Sequence, residues 1–150
     1  MENLNFDSGI KEYQINGKGA LRFNPSDPNV YGRFVDSMSR IEKVEKEMTA
    51  KARALETKKN DPETGAAIIR IMVETDKKMK RILNEIFGGE NDFNEILEGV
   101  NLMAVATNGR RVVSNLIDAL MPIMEQGAKA CAEGEVETAK LNREQRRALQ

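Results

Sequence analysis

The side chains that most often perform acid–base and nucleophilic chemistry are scarce in this chain. Its 150 residues include no His and one Cys, Cys131. Histidine is best suited to proton transfer near neutral pH, and Ser–His and Cys–His nucleophile pairs require it. Zinc sites made of Cys and His are excluded for the same reason. The residue types therefore predict no enzyme, no cofactor and no bound metal, although a site for magnesium or calcium made of carboxylates alone stays open in principle.

Two pairs of neighbouring carboxylates are the remaining candidates for acid–base work. They are Glu45 with Glu47, and Glu90 with Asp92. Such work requires burial or a charged neighbour that shifts a pKa from its ordinary value. Both pairs lie in charged stretches, so we expect them on a solvated surface.

Glycine next to basic residues is typical of phosphate-binding loops, and two segments show it. They are residues 17–19, Gly-Lys-Gly, and residues 108–111, Asn-Gly-Arg-Arg. Neither matches the spacing of a P-loop or of a dinucleotide-binding loop. The start of a helix after Gly109 would be a generic anion site. A plain turn is the favoured interpretation of both segments.

Arg143, Arg146 and Arg147 give the C-terminal end a local positive charge. No aromatic residue lies near them to stack on bases, and several glutamates are close in sequence. These features favour a solvated or partner-bound terminal helix over a segment that binds nucleic acid. The net charge of the whole chain is -1, which excludes a general basic field for nucleic acid or anionic lipid.

The N-terminal part of the chain predicts a β-hairpin. Residues 10–15 alternate apolar and polar side chains, and residues 20–23 can form a returning strand. Asn16 and Gly17 tolerate the positive φ of a tight turn. Since an isolated two-stranded hairpin is marginally stable in water, we expect it to lean on helices or on another subunit.

Three main helices are expected after the hairpin, at about 29–57, 62–87 and 110–131. Asp27-Pro28 and Asp61-Pro62 are N-cap and first-turn pairs, and Gly88-Gly89 is a stop signal. Ile68 and Ile71 widen the apolar stripe of the second helix, which predicts a well-buried first half. Short helices are expected at 93–98 and 143–149, Pro122 should kink or weaken the third main helix, and residues 99–109 are left open between helix and loop.

The predicted fold class is mainly α with a small N-terminal β-hairpin (α+β). Residues 1–27 form a hairpin segment packed on the helical part, residues 28–132 a helical domain, and residues 133–150 a charged tail that is partly disordered or a short helix. A single cysteine cannot form an internal disulfide, which favours a reducing compartment. Neither a signal peptide nor an apolar run of about 20 residues is recognisable. We expect a protein of the host-cell cytoplasm that is not bound to a membrane.

An ordered set of short segments resembles one family of phage and prophage proteins. The segments are residues 11–13 and 15–17, residues 22–28 (Arg-Phe-Asn-Pro-Ser-Asp-Pro), residues 86–89 (Ile-Phe-Gly-Gly) and residues 115–125. Together they are similar to small proteins encoded among the tail genes of long-tailed phages of Gram-positive hosts. The resemblance covers residues 11–125, so residues from Glu133 onward lie outside it.

This resemblance implies a non-enzymatic tail assembly chaperone. Such proteins coat the apolar, helical tape measure protein, self-associate as homo-oligomers and recruit tail tube subunits. Contact with the tape measure protein would use apolar helix faces. One candidate set is Met38, Ile41 and Met48, and the other is Leu116, Leu120 and Met124. The side chains of the second set are also compatible with a position in the core.

Two alternatives stay open at this point. A structural tail or capsid-accessory subunit would add the edge of the hairpin to a neighbouring sheet. A small nucleic-acid-binding regulator would use Arg110, Arg111 and the terminal arginines. The eight methionines of the chain fit a packed core or an adaptable apolar surface.

Overall fold

The computed structural model of the chain describes residues 1–56 and 61–148. The fold is mainly helical, with one small antiparallel sheet at the N-terminal end. The elements are β1 (Lys11–Ile15), β2 (Gly19–Phe23), α1 (Pro28–Glu56), α2 (Pro62–Phe87), α3 (Phe93–Ile96) and α4 (Val112–Ala148). The predicted fold class is confirmed.

The hairpin forms where the alternation of the sequence predicts it. Lys11 pairs with Phe23 and Ile15 with Gly19. Asn16 and Gly17 both have a positive φ, 51° and 74°, which few other residues adopt without strain. The Lys18 N–H donates to the Ile15 carbonyl at 3.0 Å and closes the turn.

Helices α1 and α2 form an antiparallel pair that contains much of the core. Asp61 caps α2 through a hydrogen bond from the Glu63 N–H at 3.0 Å, with Pro62 as its first residue. Gly88 ends it with a φ of 62°. Both ends of α2 agree with the predicted bounds, whereas the predicted end of α1 at Thr57 lies outside the described residues.

A row of aromatic rings joins the hairpin to the helices. The Phe23 ring lies 5.2 Å from that of Tyr13 and 4.8 Å from that of Phe87, between ring centres. Phe87 in turn lies 5.7 Å from Phe93 at the start of α3. Aromatic contacts at these separations add to the burial of the rings. The hairpin therefore shares one core with the helices, as the instability of an isolated hairpin requires.

The prediction that the first half of α2 is well buried is wrong. Its first half is at the surface, with Ile69 and Val73 exposed and Ile68 and Ile71 only partly buried, whereas the buried residues begin at Thr75. The apolar spacing identifies the inward face of the helix, but the length over which other elements cover that face depends on the tertiary arrangement.

In the described ranges, no helix is both long enough and apolar enough to cross a bilayer.

Helix α4 is longer than predicted and corrects the interpretation of the C-terminal tail. It begins at Val112 and continues without a break past Cys131 to Ala148, so the described part of the tail is neither disordered nor a separate short helix. Pro122 lies inside it without ending it. Residues 132–148 are all exposed. Helix α3 ends two residues earlier than predicted, and residues 99–109 form turns instead of a helix.

Candidate functional site

An uncharged groove lies between β1 and the first half of α4. Its volume is about 500 Å³. Among its lining residues, all of them in the described part of the chain, none carries a charge. The clefts along α1, in contrast, are edged by several Lys, Arg and Glu side chains. The groove is lined by Tyr13, Gln14, Ile15, Asn16, Leu97, Val100, Ala106, Val112, Asn115, Leu116, Ala119, Leu120 and Ile123.

The groove owes its shape to the turns that connect α3 with α4. Val100, whose side chain is 48% exposed, stands at its rim. Two residues further on, Leu102 is buried, and its N–H donates to Oδ1 of Asp76 at 2.7 Å. Oδ2 of the same carboxylate accepts from Nζ of Lys80 at 2.8 Å. This buried ion pair therefore holds the connecting segment against α2 and places Val100 beside α4.

Arg111 fastens the other end of the same segment. Its guanidinium donates to the Met103 carbonyl at 2.8 Å and forms an ion pair with Glu45 on α1 at 3.3 Å. Both charged side chains are half-buried, at 25% and 33% exposed, so solvent screens the contact only in part. The rim of the groove is thus connected to both α1 and α2, and the cavity is preformed in the folded chain.

The strand beside the groove is an edge strand, because the sheet has two strands in the described ranges. Arg22 is paired with Glu12, and both backbone groups of Arg22 bond to the Asn91 side-chain amide, at 3.0 and 2.7 Å. The backbone N–H and C=O of Arg22 therefore point away from β1. In an antiparallel pair these groups point toward and away from the partner strand at alternate residues, so those of Glu12, which is paired with Arg22, and of Gln14 point away from β2. Asn91 blocks the outer edge of β2 at Arg22, whereas the edge of β1 is suited to pair with an extended segment.

The six side chains predicted to contact a partner fall into two groups. Ile41, Met48, Leu120 and Met124 are buried in the core, each at most 6% exposed. This corrects the expectation that Ile41 and Met48 contact a partner at the surface, and it gives Leu120 and Met124 the core position that the sequence left open. Their spacing reflects the inward face of α1 and α4, and Leu120 contributes only to the floor of the groove.

Met38 and Leu116 are the two members of the predicted sets that are half-buried at the surface. Leu116 lines the groove, and Met38 lines a smaller cleft of about 240 Å³ between α1 and α4. Sequence reasoning missed most of the other groove residues, which come from the hairpin, the α3–α4 connection and α4. The alternation of Tyr13 and Ile15 was a usable signal, since it marks one face of β1.

The segments considered for anion binding have structural partners. Gly109 adopts a φ of 81° in a turn, and the Asn108 side chain pairs with Asn115 at 2.9 Å. Arg110 forms an ion pair with Asp118, and Arg111 one with Glu45. These contacts support the interpretation of a plain turn and direct both arginines at carboxylates.

The carboxylates considered for acid–base work also have structural surroundings. Asp92 caps α3 by accepting from the Asn94 N–H at 3.0 Å, Glu45 pairs with Arg111, and Glu47 and Glu90 are exposed. Within residues 1–56 and 61–148, no cluster of three or more Cys, Asp or Glu side chains is arranged to hold a metal ion. Cys131 is a free, half-buried cysteine.

Comparison of the chain with protein-family models, with curated proteins and with solved structures finds no match in any of the three. The interpretation of the groove therefore starts from its own chemistry.

Proposed function

We propose that this chain is a non-enzymatic tail assembly chaperone and that its groove receives an apolar helical segment of a tape measure protein. The observation that carries the proposal is the uncharged lining of the groove in a chain of which 31% of the residues are charged. An amphipathic helix binds in such a groove through apolar side chains spaced three and four residues apart. The resemblance to tail-gene proteins supplies the identity of the client.

The half-buried side chains around the groove support a protein ligand. Tyr13, Ile15 and Leu116 keep part of their apolar surface in contact with water, so a client helix that covers them gains the free energy of their dehydration. Gln14, Asn16 and Asn115 add neutral polar groups to the lining. A ligand with a phosphate or a carboxylate would find no opposite charge in this groove.

Co-expression with fragments of the tape measure protein encoded in the same tail gene cluster tests the proposal. The wild-type chain is expected to keep an otherwise insoluble fragment in solution and to co-purify with it. Val100→Glu places a charge at the groove rim and is expected to reduce the recovered fragment at least about tenfold, since burying an unpaired carboxylate costs several kcal/mol.

Val105→Glu is the matched control. Val105 belongs to the same connecting segment and is also exposed, but it lies outside the groove lining. It is expected to leave recovery of the fragment unchanged. Equal losses from the two variants, or no fragment bound by the wild-type chain, would contradict the proposal.

The edge of β1 favours a second candidate function, a structural subunit retained in the virion. The outward backbone groups of Glu12 and Gln14 would then pair with a strand of a neighbouring tail protein. Mass spectrometry of purified virions distinguishes the two functions. A chaperone is expected to be missing from the particle, whereas a stoichiometric amount of the chain in virions would favour the structural subunit.

A further inference from the structure

The last part of α4 is a helix that no other element covers in the described part of the chain. Residues 132–148 are exposed along their whole length, which at 1.5 Å per residue is about 25 Å of helix. Val136 and Leu141 are each more than half exposed. A helix of this length gains little stability from its own hydrogen bonds in water, and most helices in proteins depend on a packed face.

Contacts within this terminal segment are weak. Gly134 lies in its first turns, where glycine disfavours a helix by about 1 kcal/mol relative to alanine. The ion pair of Lys140 with Glu137 is 3.8 Å long and largely exposed to solvent, so its contribution is about 0.5 kcal/mol or less. The segment is therefore expected to need a partner surface to be stable as a helix.

The charges of the segment divide sharply along its length. Residues 132–139 contain three glutamates and no basic residue, a net charge of -3. Residues 140–148 contain Lys140, Arg143, Arg146 and Arg147 with one glutamate, a net charge of +3. The first half is thus complementary in charge to the second half of another copy, provided that the two helices run in opposite directions.

We propose that α4 pairs antiparallel with α4 of a second copy of the chain through residues 132–148. In this arrangement the acidic half of each helix lies along the basic half of the other, whereas a parallel pair would bring like charges together. Ala132, Val136 and Ala139 follow one another at spacings of four and three, so they share one helix face for the contact. This pairing does not depend on the proposed function, because the groove lies in a different part of the molecule.

The expected dimer is small and sensitive to salt. Two helices about 25 Å long bury less surface than a standard protein interface, so association is expected to depend on concentration. At about 1 M salt the Debye length is about 3 Å, and the attraction between the exposed charges is largely screened. Light scattering after size exclusion should show a mass rising from 16.8 kDa toward twice that value at low salt, and a return toward 16.8 kDa at high salt.

Charge reversal in the full-length chain tests the pairing directly. An acidic variant carries Arg143→Glu with Arg146→Glu, and a basic variant carries Glu133→Lys with Glu137→Lys. Each variant alone is expected to be monomeric, because the two halves of its terminal segment then have like charges. An equimolar mixture of the two is expected to recover the dimer, because each half again meets an opposite charge.

A matched control reverses two exposed charges elsewhere. Lys51→Glu with Arg70→Glu, on α1 and α2, is expected to keep the dimer of the wild-type chain. Thermal unfolding followed by circular dichroism should show every variant folded, because all the substituted side chains are exposed.

Several results would overturn the pairing. They are a wild-type chain that is monomeric at every concentration, single variants that keep the dimer, and a mixture that stays monomeric. A monomeric wild-type chain that binds duplex DNA, with the binding lost only in the acidic variant, would also overturn it and would assign the basic half to nucleic acid. None of these results depends on recovery of the tape measure fragment, so the two proposals fail separately.

Discussion

Replacing Lys80 by Met is expected to destabilise the fold far more than replacing an exposed lysine in an equivalent helical pair. Lys80 Nζ lies 2.8 Å from Oδ2 of Asp76, four residues earlier on α2, and the two side chains are only 6% and 11% exposed. The other oxygen of Asp76 accepts from the N–H of Leu102 at 2.7 Å. The substitution therefore leaves a buried carboxylate with one partner where it had two.

The size of the effect follows from burial. Removing one member of a buried ion pair costs about 3–5 kcal/mol, because the remaining charge loses both water and its partner. Domains of this size unfold with about 5–15 kcal/mol in total, so the loss would be a large fraction of the stability.

A matched control comes from α1. Lys46 and Glu42 have the same spacing, with Nζ 3.0 Å from the carboxylate, but their side chains are 75% and 66% exposed. Lys46→Met is expected to cost about 0.5 kcal/mol or less, since solvent screens exposed pairs. Chemical denaturation in urea, followed by circular dichroism, gives the free energy of unfolding for both variants.

A double substitution separates the unpaired charge from the lost contact. Asp76→Asn combined with Lys80→Met removes both charges and keeps an acceptor for the Leu102 N–H. The double variant is expected to be more stable than Lys80→Met alone, with a coupling of about 1–3 kcal/mol between the two sites. If Lys80→Met costs no more than Lys46→Met, or if the two effects at residues 76 and 80 simply add, the reasoning from burial is refuted.

Two further predictions concern close contacts. Gly127→Ala should lower the free energy of unfolding, measured by urea denaturation, by about 3 kcal/mol, because the new methyl group would collide with the Pro25 backbone. Gly134→Ala should instead raise the helix content measured by circular dichroism, because nothing lies within 4 Å of its new methyl group. A loss at both positions would contradict this contrast. Asn91→Ala should cost about 1 kcal/mol and speed hydrogen exchange of the Arg22 amide in NMR, and unchanged exchange at Arg22 would contradict the bridging role of Asn91.

Local signals predicted the elements well where short-range chemistry decides them. Asn16-Gly17 placed the hairpin turn, and Asp61-Pro62 with Gly88 placed both ends of α2. Each of these signals acts through a hydrogen bond or a φ preference within about four residues, so neighbours in sequence are sufficient to determine it.

The prediction of the C-terminal tail was wrong because local signals were too weak there. The polar composition of residues 133–150 favoured a charged tail with a short helix at 143–149, whereas α4 continues to Ala148. Residues 132–148 are exposed throughout, so within the described ranges no buried contact marks this part of the helix. Because this part of the helix has no buried face, no apolar stripe in the sequence indicates that the helix continues.

The candidate site was predictable only in part. Leu116 belongs to the groove as a member of a predicted apolar face, but Val100 and Tyr13 reach it from segments far apart in the sequence. No local pattern shows that the hairpin and α4 lie side by side. Four members of the predicted sets are buried, namely Ile41, Met48, Leu120 and Met124. They follow the same helical periodicity as the half-buried Leu116, and this periodicity alone does not distinguish a covered side chain from an uncovered one.

By itself, the sequence determined the class of the fold, the hairpin turn, the ends of α2 and the scarcity of catalytic side chains. The tertiary structure decided which parts of the apolar faces are covered: the second half of α2 is buried, while its first half and the end of α4 are exposed. It also brought Asp76 to the N–H of Leu102, 26 residues away, and opened an uncharged groove beside β1. Turn and cap preferences act over a few residues, whereas burial depends on elements that meet only when the whole chain folds.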